Sequence, residues 1–401
     1  MGSLAFAALV ALTFQLQAGD WPQWRGEHRD GKVTGFMAPA AWPKELKQKW
    51  KIPVGEGVAT PALVGDKLYV FTWQGGKEIL RCLNAETGKE LWKDEYDAAK
   101  ATGPASGFSG ARSSPTVADG KVVTLGVQGT LSCVNAASGE KIWRKMNALG
   151  HPQFFTSSSP LVVDDLCVAQ FGDEKAGGIA AYDMKTGDEK WKTGTQDGTA
   201  YASPVLLMVD GTKMIVAETN QSVEGLSLDG KTLWKVPFPK GMGRGYNAST
   251  PIVDGQSVVF SGSNRGTRAV KVEKSGDKFE AKETWNNKDN SVIYNTPVVH
   301  KGLVFGLTAS NNLFCITSDG KTAWSNSIKG KQGYGSIVDA GTVLFSLTPS
   351  GQLVVYEPSD KEFKELASYK VADTETYAYP VISGNKVYIK DKDSLMLYTI
   401  E

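Results

Sequence analysis

Residues 59–93, ATPALVGDKLYVFTWQGGKEILRCLNAETGKELWK, decide the fold, because the rest of the chain repeats them. They read as three or four short strands. A Pro-led apolar run meets a Gly-Asp turn, a second apolar strand meets a Gly-Gly turn, and a third leads through Thr-Gly-Lys to a strand carrying Trp92. The pattern returns at 113–145, 158–192, 202–235, 249–286, 295–326 and 335–370, and incompletely at 378–401. Self-similarity at about 40–50 residues marks a propeller or a solenoid.

Counting separates the two. Apolar runs led by Pro61, Pro115, Pro160, Pro204, Pro251, Pro297, Ile337 and Pro380 supply eight first strands. Trp50, Trp92, Trp143, Trp191, Trp234, Trp285, Trp324 and Tyr369 mark eight terminal strands. The first of these, around Trp50, has no repeat before it, and the last repeat stops before its fourth strand. The two halves complete one unit, which an open solenoid does not need and a ring without exposed edges does. The sequence therefore predicts an all-β, eight-bladed propeller of four-stranded antiparallel blades, closed by an N-terminal strand in the C-terminal blade. It spans residues 46–401 as one domain. A large aromatic at one fixed place per blade reads as packing between neighbouring blades.

Composition agrees. The 44 glycines of the 401-residue chain concentrate in turns between apolar runs. Lys and Arg (44) nearly cancel Asp and Glu (43) without a basic block, so nucleic acid is not an expected partner. Cys82, Cys133 and Cys315 stand at equivalent places in three repeats, too far apart in a ring for a disulfide, and with Cys167 they read as small buried apolar residues. Three histidines and no C-x-x-C offer no zinc site. The apolar run at 4–14, with a plausible cleavage point after Ala18, resembles a signal peptide over residues 1–18. No other stretch is long enough to span a bilayer. The expected mature protein is periplasmic or secreted, soluble and monomeric. Residues 19–45, polar and rich in Gly, Pro and aromatics, read as an irregular segment over the surface, anchored by Trp21 and Trp24.

The repeated A-x-x-G-K/E followed by x-x-W, as at residues 84–92, resembles the quinoprotein-type repeat, named after dehydrogenases that use pyrroloquinoline quinone (PQQ). The opening WPQWRG-x-x-R-D-G at 21–31 is similar to the start of exported PQQ-like propellers common in planctomycete-type bacteria. The resemblance covers nearly all of the mature chain and has two functional branches. Quinoprotein dehydrogenases imply PQQ on the axis with Ca²⁺, an Asp base and a vicinal disulfide; this chain has no Cys-Cys pair and no haem motif. The type resembling outer-membrane protein assembly factor B implies the same ring without a cofactor, serving as a scaffold for other exported or envelope proteins. The scaffold is the expected function, with no catalytic residue and no metal. A PQQ-dependent alcohol or sugar dehydrogenase is the alternative.

Any small-ligand site belongs at the rim where the innermost strands begin, since eight loops converge there. Arg112, Tyr201, Tyr294, Tyr334 and Tyr377 each stand three residues before a strand-leading Pro or its equivalent. His151, Arg244 and Tyr246 lie in the Gly-rich incoming loops, and Glu218 in the second loop set. Tyrosines with two arginines suit a flat or anionic ligand on the axis; alternatively each tyrosine plugs the narrow end of the channel and bonds its neighbour's backbone. Glu218 is the main carboxylate, and Ca²⁺ wants several.

Overall fold

The first strands Ala62–Val64, Val298–His300 and Ser336–Asp339 are buried on both faces between neighbouring blades, whereas the first strand Val205–Val209 alternates and exposes Leu206 and Met208. The computed structural model describes residues 19–146, 149–194, 196–243, 245–328 and 334–401. The apolar run at 4–14 and Arg244 lie outside them. Eight four-stranded antiparallel sheets form the ring. Blade 1 holds Ala62–Val64, Lys67–Gln74, Lys77–Asn84 and Glu90–Asp97. Blades 2 to 7 follow in chain order, opening with Thr116–Ala118, Leu161–Val163, Val205–Val209, Ile252–Asp254, Val298–His300 and Ser336–Asp339. Among the described residues the helical piece is one 3-10 turn, Gly103–Phe108, and no helix is long and apolar enough to cross a membrane.

Blade 8 joins the two ends of the chain. Val381–Ser383, Lys386–Lys390 and Ser394–Thr399 supply three strands, and Lys47–Pro53 adds the fourth, with Trp50 opposite Leu397. The split unit read from the sequence is the one observed.

The tryptophans act as couplings between blades. Trp50 Nε1 donates to Glu86 O (2.9 Å), Trp143 to Met184 O (3.2 Å), Trp191 to Leu228 O (2.7 Å) and Trp324 to Ser359 O (2.7 Å). Each acceptor lies in the next blade, in the turn between its third and fourth strands. In blades 1, 3 and 4 that turn holds a glycine, Gly88, Gly187 or Gly230, in left-handed backbone, whereas the blade 7 turn has none. Gly187 has φ +73°, and a Cβ there would sit 2.7 Å from Trp143 Cδ2. Blade 5 departs from the pattern, since its outer hairpin, Thr267–Ser275 with Lys278–Asn287, runs well past that turn. Trp234 of blade 4 bonds Met214 Sδ of its own blade (3.0 Å) instead.

Register corrects one residue. The tryptophans face the third-strand position held by Cys82, Cys133 or Cys315. In blade 7 the residue at that register is Ala367, opposite Val355, and Tyr369 stands two places on. The space beside Ala367 is covered by the N-terminal segment. Phe36 and Trp42 pack edge-on against Phe345 (5.4 and 6.1 Å), and the Tyr369 hydroxyl donates to Pro43 O (3.0 Å).

Residues 19–33 correct a second expectation. They do not lie over the outer surface but run into the axis of the ring, where Trp21, Arg25 and Arg29 are buried. Trp21 pairs with Leu63 through both backbone groups, and Pro22 O accepts from Val117 N (2.8 Å). Val33 N and Gly31 O pair with Asp339 O and N (both 2.8 Å). The cause is the edge problem: every innermost strand turns an unpaired edge toward the axis, and this segment supplies the missing partners.

A second device ties the inner strands sideways. The backbone N–H of Thr60 donates to Ser114 Oγ, Ser114 to Ser159, Ser159 to Ser203, Ser203 to Thr250 and Thr250 to Thr296, at 2.9–3.1 Å. Tyr379 N closes back to Thr60 Oγ1 (2.9 Å). Each hydroxyl belongs to the residue just before a strand-leading Pro. Blade 7 has Ser336 there, and its buried Oγ has no hydrogen-bond partner.

Candidate functional site

A cup of about 450 Å³ opens on the axis. Its wall takes a residue from each of the eight segments that enter a blade: Val58, Phe108, Phe154, Tyr201, Tyr246, Tyr294, Tyr334 and Tyr377. The aromatics form two arcs. Tyr294 stacks on Tyr334 (4.7 Å, 20°), which meets Tyr377 edge-on (5.1 Å), which meets Phe108 (4.6 Å). Opposite, Tyr246 packs edge-on against Phe154 (5.3 Å) and Tyr201 (5.6 Å). Quadrupoles favour such edge contacts, which hold the rings in place. The Tyr201 hydroxyl accepts from Phe154 N (3.2 Å) and donates to Glu174 (3.4 Å), and burial raises its pKa above the usual phenol range.

Arg112 is the charged residue among the described lining. Its Nη2 donates to Ala105 O (3.1 Å) and Phe108 O (2.8 Å) at the end of the 3-10 turn, while Nε is buried without a partner. Burial lowers its pKa, and the neighbouring phenols Tyr201 and Tyr334 work weakly the other way. Among the described lining residues no carboxylate balances it.

Six of the nine residues singled out from the sequence therefore meet in the cup: Arg112, Tyr201, Tyr246, Tyr294, Tyr334 and Tyr377. His151 does not line it; its ring stacks on Phe155 (4.0 Å, 17°) and Nδ1 lies 2.9 Å from Pro152 O. Glu218 is also away from the lining. It is fully buried at the end of a blade 4 strand, with neither carboxylate oxygen hydrogen-bonded. That desolvation holds its pKa well above the carboxylate range, offset in part by Arg265. Loop membership placed both residues near the rim, but the direction of their side chains keeps them out of the cup.

The sequence reading missed the floor. Trp24, Ser203 and Thr250 line the cup from below, with Trp24 Nε1 donating to Thr250 Oγ1 (3.2 Å) and its ring edge-on to Tyr379 (4.9 Å). Beneath lie two guanidiniums whose N–H groups all find acceptors. Arg25 donates to Arg29 O (3.4 Å), Thr296 O (2.9 Å), Tyr379 Oη (2.9 Å), Asp30 O (3.0 Å) and Pro297 O (2.7 Å). Arg29 donates to Gln23 Oε1 (2.7 Å), Ser159 O (3.1 Å), Pro204 O (2.9 Å), Thr116 Oγ1 (3.3 Å) and Pro160 O. Burying a guanidinium without such a full set would be prohibitive. The hydroxyl residue before each strand-leading Pro was the available signal for this inner ring.

Known proteins place the ring in a family. A family model described as outer membrane protein assembly factor BamB matches residues 29–194 and again 76–326. The chain belongs to that family. It is 26% identical to BamB of Burkholderia pseudomallei (strain K96243) over 231 residues, 57% of this chain and 56% of that protein. The match thus spans about half the length of that BamB. Over 166 residues it is also 26% identical to quinohemoprotein alcohol dehydrogenase ADH-IIG of Pseudomonas putida, 40% of this chain and 22% of that enzyme. In fold it resembles the quinohemoprotein alcohol dehydrogenase of Comamonas testosteroni, with a TM-score of 0.71 at 15% identity over 95% of this chain and 80% of that one. This BamB-family propeller thus has relatives among both outer membrane protein assembly factors and quinohemoprotein alcohol dehydrogenases. Its cup does not fit a calcium–quinone centre: the described lining offers one cation and no carboxylate, whereas Ca²⁺ takes six to eight oxygens. The four cysteines are free and buried within blades, away from the axis lining.

Proposed function

We propose that this protein is a non-catalytic binding scaffold of the BamB type, working in the periplasm or secreted after removal of residues 1–18. Its axial cup holds a group from another exported or envelope protein, or a small ligand. The observation that carries this reading is the chemistry of the cup wall: aromatic faces and, among the described lining residues, one guanidinium with no paired acid and base for proton transfer. Aromatic surface with a single cation binds by area and charge. The BamB relatives support the scaffold role.

The second reading, a PQQ-dependent alcohol or sugar dehydrogenase with a reduced site, is favoured by the dehydrogenase relatives. One experiment separates them. PQQ and Ca²⁺ are added to purified protein while quinone absorbance and dye reduction are followed over an alcohol and sugar panel. In parallel, a photo-cross-linking residue replaces Tyr334 in cells. The scaffold reading expects a discrete cross-linked adduct and no dye reduction; stoichiometric quinone binding with turnover overturns it.

A further inference from the structure

The axis is where this fold leaves backbone groups unmatched by its own ladders, and residues 21–33 meet them blade by blade. Trp21 pairs with Leu63 of blade 1, and Pro22 accepts from Val117 of blade 2. Arg29 reaches blades 2, 3 and 4 through Thr116, Ser159, Pro160 and Pro204. Trp24 bonds Thr250 before blade 5, and Arg25 takes Thr296 and Pro297 of blade 6 and Tyr379 of blade 8. Gly31 and Val33 pair with Asp339 of blade 7. A segment that only anchored the N-terminus would not need two desolvated guanidiniums or a contact to every blade.

We infer that residues 21–33 are an axial plug that makes the cup a blind pocket, and that Trp24, the one plug residue in the lining, contacts the guest and sets how deep it sits. This rests on the cup being a binding site, as proposed above. A guest then enters past the aromatic rim alone and cannot thread the ring. The cup takes a flat aromatic or apolar group, end-on toward Trp24. Any acidic substituent on that group meets Arg112 on the way in.

The test uses the mature full-length chain, hydrogen exchange read by mass spectrometry, and 8-anilinonaphthalene-1-sulfonate as a flat, anionic aromatic probe. In the wild type, the Trp21, Gly31 and Val33 amides should exchange as slowly as the innermost strands. Arg29→Met should speed them by about tenfold or more without changing the perimeter hairpins. Exchange of the wild-type plug at unstructured-chain rates overturns the plug. The probe should bind once per chain, weakened about tenfold by Trp24→Ala and by Tyr377→Ala, and less by Trp24→Phe, which keeps a ring on the floor. Sensitivity to Tyr377→Ala with indifference to both Trp24 variants overturns the role of Trp24 and leaves the cup standing. Indifference to all three overturns both.

Discussion

At the perimeter of this ring one contact is made over and over: a tryptophan of one blade lies on the tight turn of the next and bonds a carbonyl there. Along the axial segment the contact to each blade is made differently. Arg25, Arg29, Trp21 and Trp24 each do a different job, and all come from one short segment. The perimeter is a sum of similar neighbour terms, as expected of repeats. The axis is a single object shared by eight blades, so damage there reaches the inner strands of several blades at once.

The largest effect expected from this contrast is the loss of residues 19–52, which removes the plug and the closing strand together. Blade 8 is left with an open edge and the inner strands with unpaired groups. The truncated chain should aggregate or melt far below the intact one in a thermal scan; equal melting would mean that neither region needs the N-terminal arm. A smaller and local loss is expected from Gly187→Ala at the perimeter. Left-handed backbone and collision with Trp143 together cost about 2–4 kcal/mol, read by chemical denaturation. If the perimeter is modular, exchange of the plug amides should be unaffected.

The smallest effect concerns pH. Burial without hydrogen bonds raises the Glu218 pKa above its unfolded value of 4.5. The folded state then binds more protons than the unfolded state above pH 4.5, so this group's contribution is full below that pH and declines as pH rises. Glu218→Gln should flatten the decline, leaving the variant relatively more stable at pH 7 than at pH 4. An unchanged pH profile of the melting temperature would place the carboxylate in contact with water.

The same contrast explains what could be read from the chain. Strand number, blade count and the closing strand were legible because each feature recurs, so a weak local signal is confirmed by its copies. The one slip at the perimeter, Tyr369 taken for the blade 7 marker, arose because Ala367 holds the marker register there and the nearest aromatic stands two places on. The cup was legible in part, since four of its five tyrosines share a fixed offset from the strand-leading Pro or its equivalent. Trp24, Arg25 and Arg29 occur once each in a polar, Gly- and Pro-punctuated stretch, and such a stretch has the composition of an exposed arm. Their burial depends on eight distant edges, information that no local window contains. The hydroxyls of Thr60, Ser114, Ser159, Ser203, Thr250 and Thr296 did recur, and they mark the axis as a built structure.

Tandem arrays gain and lose units by ordinary recombination, and most perimeter contacts here would accept an extra copy without complaint. The guanidinium of Arg29 would not, because it grips carbonyls of neighbouring blades at fixed reach. A ninth wedge would spread those oxygens and strand the arginine without partners, and a seventh-order ring would crush it. The segment at the hub is therefore a gauge of copy number, holding a repetitive gene product to one size.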